Sequence, residues 1–271
     1  MVTIIIPIYK EKPTELEMVS IMQTFRVLDR YDIIFIYPKT LDISHYREKY
    51  PKAQFKCFAK CYFDGIYGYN QLMLSEDFYQ SFKTKYILIC QPDAFLFRDD
   101  LESWLLEDYD YVGAPWLRSS EHIPILKKMW DFGLSSLKQI INYKGNGKWQ
   151  KNKSLLYNQV GNGGLSLRKR EKCIEVLKQL SEVVSIYLKP SNQSSFYAED
   201  VFFSIEPQRN GLSFRKPDYK KACEFAIENK QEKAFVLNGG MLPFGCHRWD
   251  KELDFWKEYI EQQGYKLEQY E

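Results

Sequence analysis

Four places in the chain hold groups able to do chemistry at neutral pH: Asp93, Gly163 with Gly164, Glu199 with Asp200, and His247. An aspartate and an imidazole brought together offer oxygen and nitrogen ligands to a divalent cation. A carboxylate within hydrogen-bond reach of a hydroxyl can take its proton as that hydroxyl attacks. Paired glycines let the backbone approach a ligand closely. Each feature also has a plainer reading. Asp93 can turn or cap the chain. Glu199 and Asp200 can serve a helix start through capping and the dipole. A glycine pair can be a turn, and a histidine beside Trp249 can be packed in a core.

The elements that must position these groups follow from hydrophobic period. Segment 86–90 (YILIC) is short and apolar after a polar break, the pattern of a central buried strand, and Asp93 falls where it ends. In open α/β sheets ligands gather outside the carboxyl ends of strands, which suits an acid there. Segments 2–8, 32–37 and 54–58 read as further strands. Between them Pro13 and Thr14 open a helix with Met18, Ile21, Met22, Phe25 and Leu28 on one face, a short helix spans 44–50, and 65–82 has helical spacing. Alternating strands and helices predict a doubly wound, mostly parallel sheet flanked by helices.

Beyond residue 100 the expected order is a helix over 101–106 after Asp99 and Asp100, a strand within 109–116, and a strand over 165–168. A helix over 171–187, a strand over 211–215, a helix over 219–228, a compact turn over 242–250 and a last helix over 251–263 complete it. The stretch 127–153 is rich in lysine and aromatics with a single acid, Asp131. It reads either as a mobile cover for a cleft or acceptor contact, or as a solvated basic surface.

With 271 residues, 45% hydrophobic and 27% charged, the composition is that of a soluble globular protein. The net charge of +2 excludes a general nucleic-acid field. No apolar run is long enough to span a bilayer, and the opening residues lack the features of a signal peptide. A cytoplasmic location is therefore expected, with 127–153 as a peripheral contact for the inner face of an anionic membrane. The six cysteines form no C-x-x-C pair and read as free thiols.

Several longer motifs run in order: 91–95 (QPDAF) with 97–99 (FRD), 111–116 (YVGAPW), 160–168 (VGNGGLSLR), 199–202 (EDVF) and 243–249 (PFGCHRW). Together they resemble the GT-A class of nucleotide-sugar glycosyltransferases, and more narrowly an uncharacterised bacterial family of GT-A-like proteins. The resemblance implies one GT-A-like domain over 1–271: a nucleotide-binding half over 1–100, and an acceptor and catalytic half over 101–271 with an insertion at about 119–157. The insertion has no counterpart in the pattern.

The resemblance also implies roles. Asp93 and His247 would hold a divalent cation, Mn²⁺ rather than Mg²⁺ because imidazole suits it better. GT-A enzymes usually carry Asp-x-Asp at this strand end; here Gln91 stands at the first position, which leaves the first ligand open, and Gln91 would either supply a neutral oxygen there or contact the ribose. Pro7, Tyr9 and Lys10 would line the nucleotide pocket, with Gln91, Gly163 and Gly164 contacting the donor, a UDP-sugar by preference. Asp200 would be the base and Glu199 an acceptor ligand, or the reverse. Trp116 and Trp249 would stack on acceptor sugars or pack in the core. A single base opposite the leaving group would invert the anomeric centre, although retaining GT-A enzymes also place an acid near this position. The implied activity is transfer to a hydroxyl of a glycan or lipid-linked acceptor. The missing first acid motivates a rival, a non-catalytic nucleotide-sugar or carbohydrate-binding protein. A nucleotidyltransferase fits less well, since no basic glycine-rich loop follows the first strand.

Overall fold

The computed structural model describes residues 1–118, 133, 134, 137, 153–192 and 195–267. Most of the expected insertion at about 119–157, and with it nearly all of 127–153, lies outside the described residues.

In chain order the strands are β1 (Val2–Pro7), β2 (Asp32–Pro38), β3 (Gln54–Phe58), β4 (Tyr86–Cys90), β5 (Ala94–Leu96), β6 (Tyr111–Gly113), β7 (Leu165–Lys169), β8 (Ala226–Ile227) and β9 (Gly245–His247). Six of them form one sheet in the order β3-β2-β1-β4-β7-β6. β1 to β4 pair in parallel, and β7 runs antiparallel to both β4 and β6. The sheet is therefore mixed, mostly parallel, with helices on both faces.

Side-chain alternation explains why both faces need cover. In β1 and β4, Ile5, Ile87 and Ile89 enter one buried cluster, while Ile4, Ile6, Leu88 and Cys90 enter another. The first cluster is closed by Met73, Tyr79, Cys173, Leu177 and Phe202, the second by Ile21, Leu28, Tyr46, Trp104 and Phe225. Strands buried on both sides read as continuous apolar runs, which is why the sequence exposed them so clearly.

The helix Glu15–Val27 begins with a capping box. Thr14 Oγ1 accepts from the Glu17 N–H at 3.3 Å, and the Glu17 carboxylate accepts from the Thr14 N–H at 2.7 Å. Its apolar face is only partly the expected one. Ile21 and Leu28 are buried, Met18 and Phe25 half-buried, and Met22 is exposed. The buried stripe includes Ser20, Gln23 and Thr24 instead. Gln23 donates to the Leu96 carbonyl at 2.5 Å, and Ser20 Oγ accepts from the Trp249 indole at 2.7 Å. Polar residues with partners thus dock this helix on β5.

Other expectations are corrected by local hydrogen bonding. The helix expected over 65–82 is two, Gly65–Met73 and Glu76–Gln80, because Ser75 caps the second by accepting from the Phe78 N–H. The one expected over 171–187 is also two, Arg170–Gln179 and Ser181–Tyr187. No strand forms over 211–215. There the backbone is satisfied by Asp110, whose N–H donates to the Arg215 carbonyl while its carboxylate accepts from the Arg215 N–H at 2.7 Å. The helix expected to reach 228 stops at Phe225, and the chain enters β8. β8 and β5 flank β9 in a second, three-stranded sheet that the sequence did not suggest. Among the described residues no helix is long and apolar enough to cross a membrane.

Candidate functional site

The small sheet brings Asp93 to His247. After β4 the chain turns, with the Gln91 N–H donating to the Gly164 carbonyl and the Ala94 N–H donating back to the Gln91 carbonyl. β5 then pairs antiparallel with β9, setting Ala94 opposite His247. His247 Nε2 consequently lies 3.2 Å from Asp93 Oδ1 and 3.1 Å from Gln91 Oε1. On its other side Nδ1 faces Glu228 Oε1 at 3.5 Å, a residue delivered by the end of β8. Burial would lower the imidazole pKa, but Asp93 and Glu228 outweigh it and raise it to about 9. Burial would likewise raise Asp93, and the hydrogen bond and charge of His247 bring it below its ordinary value.

This donor set fits a divalent cation. Two ligands bound at right angles to an ion at about 2.2 Å stand about 3.1 Å apart, close to the separations seen here. A carboxylate behind the far nitrogen is a common support for a metal-binding histidine. The set is lean. Among the described residues no group of three or more His, Cys, Asp or Glu side chains is arranged to hold a metal ion, and the further oxygen nearest His247 Nε2 is the Gln91 amide.

Gly163 and Gly164 are where the two ends of the site converge. A Cβ on Gly163 would sit 1.9 Å from Glu199 Oε1, and one on Gly164 would sit 2.0 Å from His247 Nε2. The space expected for a ligand at these glycines is thus filled by the protein's own functional side chains. Replacing Gly164 with alanine is expected to displace the His247 ring, costing about 1–3 kcal/mol as an overpacked site does. A melting curve of the variant checks this; an unchanged melting temperature contradicts it.

Glu199 and Asp200 start the helix Glu199–Arg209 and have different surroundings. Both Glu199 oxygens accept from the Arg168 guanidinium, at 2.8 and 3.0 Å, and both side chains are essentially buried. Arg168 also donates to Tyr79 Oη and Ser166 Oγ and lies over the Tyr111 and Phe203 rings. Glu199 is therefore locked into an ion pair and not presented to an acceptor. Asp200 has no such partner among the described residues. It is half-buried and accepts from the Val201 N–H at 2.7 Å. Burial, then the neighbouring Glu199 charge, pushes its carboxyl up to about 7. A carboxyl that titrates near neutrality is suited to proton transfer.

A cleft of about 600 Å³ opens at Gln91 and Asp93, and its lining includes neither His247, Gly163 and Gly164 nor Glu199 and Asp200. Pro7, Tyr9, Lys10, Gln91, Asp93 and Trp249 are all on its lining. Lys10 is held by Glu17 at 2.8 Å, the residue that also caps the first helix. Its positive charge is therefore largely neutralised. The lining also includes the aromatic and apolar side chains of Tyr62, Phe63, Ile66 and Tyr69. Trp249 is 0% exposed, its indole N–H spent on Ser20 and its ring set edge-on to Phe95. It is a core residue, so of the two readings, stacking on a sugar or packing in the core, its burial matches packing. Trp116 is half-buried and pressed on Gly161, where an added Cβ would sit 1.9 Å from the ring.

Three contributors escaped the sequence reading. Arg168 sat in a quoted motif with no role, although a basic residue in a strand beside small residues is a signal for a buried ion pair. Glu228 was read as helix end, and Tyr69 as helix core. Neither carries a local signal, because each acquires its meaning from a distant partner.

No curated protein sequence matches the chain. The galactosyltransferase LgtC, in complex with donor and acceptor sugar analogues, superposes with a TM-score of 0.53 at 10% identity over 90% of this chain and 86% of that one. An active-site mutant of LgtC gives a TM-score of 0.51 at 13% identity, with 90% and 86% covered. The glycosyltransferase GlyE of Streptococcus pneumoniae TIGR4 gives 0.48 at 9% identity and covers 91% of this chain; the chain spans 54% of GlyE. The shared architecture is the GT-A fold of these glycosyltransferases, as the motif order implied. Residues 52–247 match the profile of DUF5672, described as a protein of unknown function, so the chain belongs to the DUF5672 family.

Proposed function

We propose that the protein is a cation-assisted glycosyltransferase that moves a sugar from a nucleotide-sugar donor, a UDP-sugar by preference, to a hydroxyl of a glycan or lipid-linked acceptor. The observation that carries this reading is a cation-type donor set, Asp93, His247 and Gln91, packed on Gly164, while the adjoining Gly163 packs on Glu199, whose chain neighbour Asp200 titrates near neutrality. The GT-A fold supports it by analogy, which is not by itself a warrant for activity. The setting that the resemblance suggests is bacterial surface polysaccharide or glycoconjugate synthesis.

In this reading Asp93, His247 and Gln91 hold a divalent cation, Mn²⁺ over Mg²⁺, and Glu228 fixes the imidazole from behind. When bound, the cation would offset the negative charge that develops on the leaving diphosphate. Tyr9, Pro7 and the apolar wall enclose the nucleotide, and Lys10 lies alongside with its charge shared by Glu17. Asp200 takes the proton from the acceptor hydroxyl, and its position as a lone base favours inversion. Glu199 with Arg168 positions the start of the helix that carries Asp200.

A screen of UDP-, GDP-, CMP- and dTDP-sugars for thermal stabilisation, with and without Mn²⁺, tests donor binding. A donor at one hundred times its Kd stabilises by about 2.7 kcal/mol, or roughly 5–10 °C for a chain of this size. The shift is expected to need both Mn²⁺ and Asp93, and to vanish in Asp93→Ala. A shift that ignores both removes the cation from the reading. One observation favours a second reading, a nucleotide-sugar-binding protein without turnover: the strand end carries a single carboxylate, and His247 Nε2 is already engaged by Asp93 and Gln91.

A further inference from the structure

The helix Glu199–Arg209 carries Asp200 at its second position and starts without a cap of its own. Its N-cap residue is Ala198, whose methyl group offers no acceptor to the N–H groups of the first turn, which have no partners within the helix. The Asp200 carboxylate takes the Val201 N–H at 2.7 Å. The Glu199 N–H goes instead to the side-chain oxygen of Asn70, at 3.0 Å and 129 residues away in the chain. Asparagine is among the best capping residues, and Asn70 does from another helix what a polar residue at position 198 would do locally.

The helix that supplies this cap, Gly65–Met73, is held at two further points. Tyr67 Oη donates to the Leu188 carbonyl at 2.7 Å. Gly68 packs so closely on the segment Lys60–Phe63 that an added Cβ would sit 2.1 Å from the Cys61 carbonyl oxygen. The same helix puts Gly65, Ile66 and Tyr69 on the lining of the cleft, and the segment packed against it adds Tyr62 and Phe63. Asn70 itself is buried and is not on that lining. One side of the cleft and the start of the Asp200 helix are therefore joined at Asn70. Asp200 depends on that join. The Glu199 side chain is fixed by Arg168, whereas the described hydrogen bond of the Asp200 carboxylate is to its own helix, so the carboxylate goes where the first turn goes.

Resting on the glycosyltransferase reading with Asp200 as base, we propose that Asn70 is a positioning residue: by capping the Glu199–Arg209 helix from the helix beside the cleft, it sets the Asp200 carboxylate against the acceptor hydroxyl. A reacting group misplaced by about 1 Å loses roughly a hundredfold in rate, a far larger effect than one lost cap has on stability. Loss of Asn70 acts on turnover and leaves donor affinity in place.

The test compares Asn70→Ala, Asn70→Asp and Asp218→Ala with the wild type. Asp218 caps the helix Tyr219–Phe225 by accepting from the Lys220 and Lys221 N–H groups at 2.8 and 3.1 Å, so Asp218→Ala removes a cap outside the candidate site. Release of diphosphate from UDP-, GDP- and dTDP-hexoses in Mn²⁺ gives kcat and KM at pH 9, above the value of about 7 to which burial and then Glu199 push the Asp200 carboxyl. Calorimetric titration gives donor affinity, and melting curves give stability. In Asn70→Ala kcat is expected to fall roughly ten- to a hundredfold with donor affinity within about twofold of the wild type. Asn70→Asp, which keeps an acceptor for the N–H, should bring kcat back to within about threefold. Asp218→Ala should melt lower than the wild type by about 2–4 °C, as Asn70→Ala does, yet keep its turnover. An unchanged kcat in Asn70→Ala overturns the proposal. So does an equal loss of kcat in Asp218→Ala, because the effect is then general destabilisation. Donor affinity that falls with kcat overturns it, because Asn70 is then part of the donor site, and so does failure of Asn70→Asp to recover turnover. If the wild type releases no diphosphate from any donor, the glycosyltransferase reading falls first and takes this proposal with it, an outcome distinct from the other four.

Discussion

Asp200→Asn is expected to lower glycosyl transfer by roughly 10²–10⁴-fold while leaving donor affinity within about twofold of the wild type. The amide keeps the size of the side chain and its contact with the Val201 N–H, but it has no proton affinity to offer. In the wild type the carboxyl is pushed up to about 7 by burial and then by Glu199. The active form is the deprotonated one, so kcat/KM should be flat above about pH 7 and fall close to tenfold per pH unit below it. Steady-state rates between pH 5 and 9 check both statements. A variant that turns over at the wild-type rate, or a profile flat to pH 5, removes Asp200 as the base.

Arg168→Met carries the largest expected effect on stability. It leaves the Glu199 carboxylate, 4% exposed, without the guanidinium that occupies both its oxygens. Breaking a buried ion pair from one side costs about 3–5 kcal/mol, a large share of a typical 5–15 kcal/mol of folding stability. At roughly 2–4 °C per kcal/mol the melting temperature should fall by at least about 6 °C. Arg168→Met combined with Glu199→Gln removes the orphaned charge and should recover part of the loss. A single variant that melts within 2 °C of the wild type would mean that the pair is not the support of this helix start.

The parts of the fold that the sequence made legible are those governed by local period. Strands β1 and β4 are buried throughout and almost wholly apolar, β2 and β3 only partly so, and their order with the intervening helices already implied the sheet. The small sheet stayed hidden for the opposite reason. β5, β8 and β9 are two or three residues long, too short to show any alternation, and they exist because they pair with each other. That sheet is also what sets His247 beside Asp93. Their proximity was available from the resemblance but not from the residues alone.

The site was legible as a set of residue types and less so as a set of roles. Gly163 and Gly164 were noticed as glycines that admit a close neighbour, but the neighbours are Glu199 and His247. Glu199 and Asp200 are adjacent and chemically alike, and only tertiary contact with Arg168 separates them. Trp249 could stack or pack, and the Ser20 hydroxyl decides for packing. In each case the deciding partner is far away in the chain, where no short-range pattern reaches.

The most direct test of the central claim is release of free nucleoside diphosphate from the donor selected by the thermal screen, followed with Mn²⁺ and without acceptor, in the wild type and in Asp93→Ala. A glycosyltransferase site should hydrolyse its donor slowly to water, and that release should stop when the cation or Asp93 is removed. Donor that binds tightly yet stays intact, with and without Mn²⁺ and across an acceptor panel, would contradict the account and leave a nucleotide-sugar-binding protein on a GT-A fold.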